Sequence, residues 1–499
     1  MIAKKLTADT QQALYSCKDI ADNELHIAAS FGLNSYQLME RAANALWQFL
    51  QTYWPQNTSL LIVTGKGNNG GDGYVLARLA RNYSVAVHSV CDPKLLAGDA
   101  QRAYQDYLQS GGKVNTTTPN WNDYDVIVDG LLGTGITGPV RDEYIPYIAA
   151  INRADAKVLS IDLPSGLNGD TGQALGEVVL AHATVTFVGI KKGLVTGRAK
   201  AYTGALYFDD LGLGKGLSSQ LKSPFRLNAK ADFSALTSRD VCGHKGRNGC
   251  VLVVSGAPAY PGAAMLSSFA ALRSGAGLVA LCCHPSCRAM IAPALPEIVY
   301  VDLITSTDEQ NLGTSINRAK SDVVLLGPGL GRSQWSEKAF EQAIALNKTM
   351  VIDADGLYYL SKTQLYRNNW VLTPHPGEAA YLLKCSIEDI EADRYQAIAN
   401  IVQKYGGVCV LKGAGTLISN GQHVRANISG NPGMAVAGMG DVLSGILASI
   451  SLQSTSLYDA ACLAVNLHGQ AADRAVKQGE KGLLASDIMP YIRTLVNQF

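Results

Sequence analysis

Three residue patterns in this chain are spaced for chemistry: glycine-rich turns, lone acids at the ends of apolar runs, and a lysine set in a glycine loop. In the first half, Gly65-Lys66-Gly67-Asn68-Asn69-Gly70-Gly71-Asp72-Gly73 follows the apolar run 60–63. A strand passing into a helix through such a run presents free backbone N–H groups and the positive end of the helix dipole, which suits a phosphate. The Asn pair and Asp72 add side-chain donors and acceptors that a plain dinucleotide loop does not need. A tight turn rich in capping residues is the plainer alternative. Two further polar runs follow apolar ones: Asp129-Gly130-Leu131-Leu132-Gly133-Thr134-Gly135-Ile136-Thr137-Gly138-Pro139 and Asp162-Leu163-Pro164-Ser165-Gly166. An acid in that position is costly unless it is paired, hydrogen-bonded or metal-bound. A carboxylate, an Asn carbonyl and a Ser oxygen together would suit a hard cation.

The second half has a different grammar. Lys412-Gly413-Ala414-Gly415-Thr416 follows the apolar run 408–411, and Gly438-Met439-Gly440-Asp441 precedes an apolar helical stretch, 442–450. Asp441 is expected at the cap or in the first turn, beside amides that form an anion hole. There a carboxylate can take a proton from an attacking hydroxyl while the amides hold a transferring phosphoryl group. An ordinary capping Asp is the alternative.

Positioning these groups requires a parallel sheet. Apolar runs at 60–63, 85–90, 126–128, 158–161 and 183–188 read as buried strands, with helical segments such as 35–53 and 73–79 between the earlier ones. The pattern lapses through Gly212-Leu213-Gly214-Lys215-Gly216-Leu217, which reads as flexible and without period. It resumes with strands at 250–255, 278–282, 323–326, 350–352, 370–372 and 408–411, and helices at 263–275, 337–346 and 394–405. The expected fold class is therefore α/β in two domains, 1–225 and 226–499, because 499 residues exceed what one core usually organises. In an open parallel sheet, ligands bind outside the carboxyl ends of the strands, so the polar exits of each half should converge on one crevice.

Composition excludes several classes. A net charge of +1 leaves no electrostatic footprint for nucleic acid or an acidic membrane surface. The N-terminus lacks an apolar core for a signal peptide, and no stretch is long and apolar enough to span a bilayer. Ten scattered cysteines fit a reduced, cytoplasmic protein. Cys282-Cys283-His284-Pro285-Ser286-Cys287 could form a metal corner, but it lacks a partner pair at zinc spacing, and a strand end is the plainer reading.

The motifs at 68–73, 129–135 and 162–166 resemble the NAD(P)HX epimerases over roughly residues 10–215, a family with a Rossmann-like three-layer α/β/α domain. The resemblance implies that Asn68, Asn69, Gly70, Gly71 and Asp72, with Gly133 to Pro139, hold the damaged nucleotide. It implies a potassium site at Asn69, Asp129 and Ser165, with Asp162 contacting substrate as the first candidate acid/base. Lys191 matches a family lysine, although Lys191 and Lys192 could equally be solvated loop charges. The second half carries Gly327-Pro328-Gly329-Leu330-Gly331, Asp353-Ala354-Asp355-Gly356 and Thr373-Pro374-His375-Pro376-Gly377-Glu378. With Lys412 to Thr416 it resembles the ADP- or ATP-dependent NAD(P)H-hydrate dehydratases of the ribokinase-like superfamily, from about residue 235 onward. That resemblance implies a hydrate pocket at Ala263, Gly329 and His375. Lys412, Gly413, Ala414, Gly415, Thr416 and Gly440 would hold the nucleotide, with Mg²⁺ accompanying it, and Asp441 would touch substrate as the catalytic base. Met439 stands where the family has Thr or Ser, and a buried structural role is the alternative for His375.

The activity so implied is repair of hydrated NADH and NADPH by a cytoplasmic homo-oligomer that works on small molecules, without nucleic acid or membrane. A small-molecule kinase fused to a nucleotide-binding module is the main alternative. A half that binds without catalysing is the other.

Overall fold

The computed structural model describes residues 2–55, 59–81, 83–136, 138–229, 236, 239–303 and 320–498. It divides into two compact units, Met1–Arg226 and Leu227–Phe499. Among the described residues, no helix is long and apolar enough to cross a membrane.

The first unit is built on eight strands. In spatial order they are Lys4–Lys5, Ala205–Asp209, Ala183–Phe187, Lys157–Ile161, Val126–Gly130, Ser59–Thr64, Ser84–Ser89 and Val114–Asn115. All run parallel except the edge strand Lys4–Lys5. The central strands are apolar on both faces because helices cover both. Leu60, Ile62, Val126 and Val128 enter one core, and Leu61, Val63 and Ile127 enter the other. Chain order reverses between Ser59–Thr64 and Val126–Gly130, and this switch point opens a crevice at their carboxyl ends.

The second unit has seven parallel strands ordered Val299–Tyr300, Leu278–Cys282, Cys250–Val254, Val323–Leu326, Thr349–Ile352, Trp370–Leu372 and Val408–Leu411. Thr416–Ser419 and Val424–Asn427 extend it antiparallel. Helices Pro261–Arg273, Met439–Ser451 and Leu457–Ala475 pack into one core with Val251, Val323 and Val351. Gly445 permits the closest of these helix contacts, since a Cβ there would lie 2.2 Å from the Ser267 carbonyl oxygen.

Two expectations change. The stretch read as flexible contains a helix, Gly214–Gln220, whose Leu217 is buried in the first unit's core. The helix expected at 73–79 begins at Asn68, so the Asn-Asn-Gly-Gly-Asp run is its first turns and not a loop before it. Low helix propensity hid that start. Packing overrides propensity here: a Cβ on Gly70 would sit 2.2 Å from the Gly65 carbonyl oxygen, and one on Gly71 2.5 Å from Met39 Cε.

Candidate active sites

At the switch point of the first unit the two strand exits touch. The Gly65 amide donates to the Gly130 carbonyl at 3.0 Å, and a Cβ on Gly65 would lie 1.9 Å from the Leu131 carbonyl oxygen, so only glycine fits. Helix Asn68–Leu79 starts from Gly67 with no side-chain cap, leaving its first amides available. Beside them lies a cavity of about 710 Å³, a size suited to a nucleotide-like ligand. Asn68, Asn69, Asp72, Gly133, Thr134, Gly135, Ile136, Gly138, Pro139 and Asp162 line it. Gly70 and Gly71 are instead buried by packing and are not among its lining residues, and Thr137 lies outside the described residues.

Asp162 has a left-handed backbone (φ 62°), a conformation a non-glycine residue rarely adopts without a functional or packing demand. Its Oδ1 accepts hydrogen bonds from Thr186 Oγ1 (2.9 Å), the Phe187 amide (3.1 Å) and Lys191 Nζ. Lys191 also donates to the Phe187 carbonyl at 3.0 Å. It is only 2% exposed and is therefore not a solvated loop charge. Tyr15 pairs with Lys191 across the strands Ala13–Tyr15 and Ile190–Lys191, which fixes the lysine's backbone. The neighbouring Lys192 instead lies over the Phe225 ring, 4.8 Å from its centroid.

The structure gathers Asn69, Asp129 and Ser165 around the backbone of Leu132. Asn69 Nδ2 donates to the Leu132 carbonyl at 3.0 Å, and Ser165 Oγ accepts from the Leu132 amide at 2.9 Å. Asp129 is fully buried and accepts from the Ser165 hydroxyl (2.5 Å), the Ser165 amide (2.9 Å) and the Ser160 hydroxyl (2.8 Å). Burial pushes its carboxyl above the usual range despite these donors. It has no ion-pair partner among the described residues.

In the second unit an ion cluster forms at the strand exits. Lys412 Nζ lies 2.6 Å from Asp353 Oδ1 and 3.5 Å from Glu378 Oε2. Burial works against the lysine's charge, but the two carboxylates outweigh it and raise its pKa. Buried Arg394 donates to the carbonyls of Leu411 and Lys412 at 3.1 and 3.0 Å, anchoring the Lys412 loop, in which Gly413 and Ala414 are exposed and Gly415 is buried. Thr416 Oγ1 closes that loop on the Gly413 carbonyl at 2.9 Å.

Gly438 (φ 90°) caps helix Met439–Ser451, placing Gly440 and Asp441 in its first turn. A Cβ on Gly440 would lie 3.5 Å from Lys412 Nζ and 3.9 Å from Asp353 Oδ2, so the helix start abuts the ion cluster. Burial, reinforced by the Asp353 charge and opposed by Lys412, pushes the Asp441 carboxyl up to about 7. That value suits a base at neutral pH. Met439 is buried in the apolar core, which accommodates its side chain without a hydroxyl. Ala263 and Gly329 meet, a Cβ on Gly329 falling 2.8 Å from that of Ala263. His375 is exposed, not buried; its Nδ1 caps helix Pro376–Leu383 by accepting from the Gly377 amide at 3.0 Å, and its Nε2 lies 3.3 Å from Glu378 Oε1.

Asp353 and Glu378 stand in the motifs without an assigned role, and Glu24 and Arg394 lie outside them. Asp353 follows the apolar strand Thr349–Ile352, the signal that singled out Asp129 and Asp162. Glu24 gave no signal, because it lies on helix Cys17–Ser30, remote in sequence from every motif. Cys282, Cys283 and Cys287 are free and buried, their thiols pushed up mainly by burial, and His284 caps helix Pro285–Ile291. Cys282 ends the strand Leu278–Cys282 and Pro285 opens the helix Pro285–Ile291, so the run spans a strand end and a helix start.

Comparison with known proteins matches residues 251–494 to the family described as NAD(P)H-hydrate dehydratase and residues 35–193 to the YjeF-related protein N-terminus. The bifunctional NAD(P)H-hydrate repair enzyme Nnr of Vibrio cholerae is 40% identical over 97% of this chain and 98% of its own length. The chain belongs to the bifunctional NAD(P)H-hydrate repair enzymes. Its Escherichia coli relative of the same name is 39% identical over 99% of this chain and 96% of its own length. An ADP/ATP-dependent NAD(P)H-hydrate dehydratase from Bacillus subtilis, co-crystallised with ATP and Mg²⁺, is 25% identical and covers 53% of this chain and 94% of its own, with a TM-score of 0.46. The family's two activities accord with two strand-exit sites of unlike chemistry, one in each unit.

Proposed function

We propose that this chain repairs hydrated NADH and NADPH. The first unit interconverts the R and S epimers, and the second dehydrates the S epimer with ADP (or ATP), releasing AMP (or ADP) and phosphate. The observation that carries this reading is full-length similarity to the repair enzymes, coupled to the polar cavity around Asp162 in one unit and the raised Asp441 beside an anion hole in the other.

In the second unit, Asp441 takes the proton of the substrate hydroxyl as its oxygen attacks the terminal phosphoryl group. Lys412, Gly413, Ala414, Gly415, Thr416 and the Gly440 amide hold the nucleotide, while Ala263, Gly329 and His375 border the hydrate. Phosphorylation makes the hydroxyl a good leaving group, and loss of phosphate restores the ring double bond. Mg²⁺ would accompany the nucleotide and neutralise phosphate charge. Asp353 and Glu378 both reach Lys412 and their charges act on Asp441, so carboxylate oxygens border the site without forming a cage among the described residues, which fits an ion held mainly by phosphates and water.

In the first unit, Asn68, Asn69 and Asp72, together with Gly133 to Pro139, cradle the dinucleotide, and Asp162 contacts the reacting ring. Asn69, Asp129 and Ser165 would hold a potassium ion. Their donors are hard oxygens, and Asp129 is a buried carboxylate served only by neutral groups. Such an ion supplies the positive charge that Asp129 lacks. We place the enzyme in the cytoplasm, a reducing compartment with which its ten free thiols accord, and take it to act as a homo-oligomer.

The test offers the full chain an R/S mixture of NADHX with ADP or ATP. NADH recovered from both epimers, with one phosphate released per NADH, is expected. A stable phosphorylated product would instead support the kinase alternative, and no turnover would refute the reading.

A further inference from the structure

The first-unit cavity contains a second carboxylate of the opposite character to Asp162. Glu24, on helix Cys17–Ser30, lines it together with Asp72, Asp162 and Lys191. Asp162 is held by the Lys191 Nζ, a hydroxyl and an amide, which fix the orientation of its carboxyl group. The Glu24 carboxyl group has neither a hydrogen-bond nor an ion-pair partner among the described residues, although the residue is partly buried. Burial raises its pKa, Lys191 opposes the rise and Asp162 adds to it. The charged groups around the same cavity are Lys66, Asp72, Asp99, Arg141, Asp162 and Lys191. Asp72 is likewise pushed up, by burial and by the charges of Asp162 and Glu24. Two carboxyl groups facing one cavity, one held by a cation and two further donors and the other without a partner, are the arrangement that an acid and a base sharing one task require.

Epimerisation needs such a pair. The substrate hydroxyl sits on a ring carbon next to the ring nitrogen, so its C–O bond can break with nitrogen lone-pair assistance if the oxygen is protonated. We propose that Glu24 is the proton donor of the epimerisation and that Asp162 is its paired base. Glu24 gives its proton to the hydroxyl oxygen as the C–O bond breaks, and water leaves a cyclic iminium. The fixed negative charge of Asp162 steadies that cation. A water then adds to the other face of the carbon, forming the new C–O bond, and its proton passes to Asp162. The proton returns from Asp162 to Glu24 through the cavity, and nothing is oxidised or reduced. This inference rests on the epimerase reading of the unit.

The experiment supplies R-NADHX to the full chain and follows conversion to the S epimer. Glu24→Gln is expected to lower kcat by about 100-fold or more, with KM nearly unchanged, and to leave dehydration of S-NADHX by the second unit at its original rate. Glu24→Asp, which keeps the carboxyl group, should recover at least tenfold of that loss. A kcat for Glu24→Gln within tenfold of the unsubstituted chain, or equal losses in the two variants, would overturn the assignment. An unsubstituted chain that fails to interconvert the epimers overturns the epimerase reading itself, a result distinct from loss in the variant alone.

Discussion

Replacing Asp441 by Asn should move two measurable quantities in opposite directions. The carboxyl is pushed from an ordinary value of 3.8 to about 7, chiefly by burial and then by Asp353. If its ionised form is the base, kcat/KM for dehydration of S-NADHX rises about fivefold from pH 6 to pH 7 and about twofold from pH 7 to pH 8. Asp441→Asn removes that limb and lowers the rate by about 10²- to 10⁴-fold. The same shift affects stability. Because the folded state holds this proton more tightly than the unfolded chain, the carboxylate's cost is absent below pH 3.8, grows between there and pH 7, and is complete above it. At about 1.4 kcal/mol per unit, the cost is on the order of 2 kcal/mol at pH 5 and on the order of 4 kcal/mol at pH 8. Asn carries no charge, so the variant should gain on the order of 2–3 kcal/mol more stability at pH 8 than at pH 5. Urea unfolding at the two pH values reads the second quantity and initial rates read the first. A pH limb that survives in Asp441→Asn, or a stability difference equal at both pH values, would refute the reasoning.

Three further outcomes are expected. Lys191→Met removes the cation paired with Asp162 and leaves its carboxylate only the Thr186 hydroxyl and the Phe187 amide, so it should cost about 3–5 kcal/mol in unfolding free energy and abolish epimerisation, while dehydration of pure S-NADHX persists below the unfolding temperature. Gly440→Ala should leave stability intact, because its Cβ meets Lys412 Nζ at an ordinary 3.5 Å, yet raise the KM for nucleotide by narrowing the anion hole; a raised KM for S-NADHX alone would contradict that placement. Exchanging potassium for a large organic cation should slow epimerisation but not dehydration, and Asp129→Asn should remove the ion dependence, as measured by rates in matched ionic strength.

Much of the scaffold was legible because strands buried on both faces read as unbroken apolar runs: residues 126–128 and 323–326 sit inside the strands Val126–Gly130 and Val323–Leu326. Acids at the ends of such runs were legible for the same reason, since an unpaired carboxylate there demands a partner. The helix start at Asn68 was not, because Asn and Gly disfavour helix locally and only the approach of Gly65, Met39 and Ala100 makes them necessary. Helix Gly214–Gln220 was hidden likewise, its one strong signal being Leu217 in a glycine- and serine-rich run.

The sequence by itself determined which chemistries are present: two parallel-sheet units, amide-rich turns at strand exits, and the acids Asp129, Asp162 and Asp441. Only the tertiary structure decided their electrical state. Lys191 could not be told from a solvated lysine until its burial against Asp162 was seen, nor Lys412 from a plain phosphate ligand until Asp353 and Glu378 closed on it. Glu24 became a candidate only when its helix brought it to a cavity formed by residues far away in the chain. The physical reason is that charge, desolvation and proton affinity depend on distances across the fold, whereas residue type and local spacing depend on the chain alone.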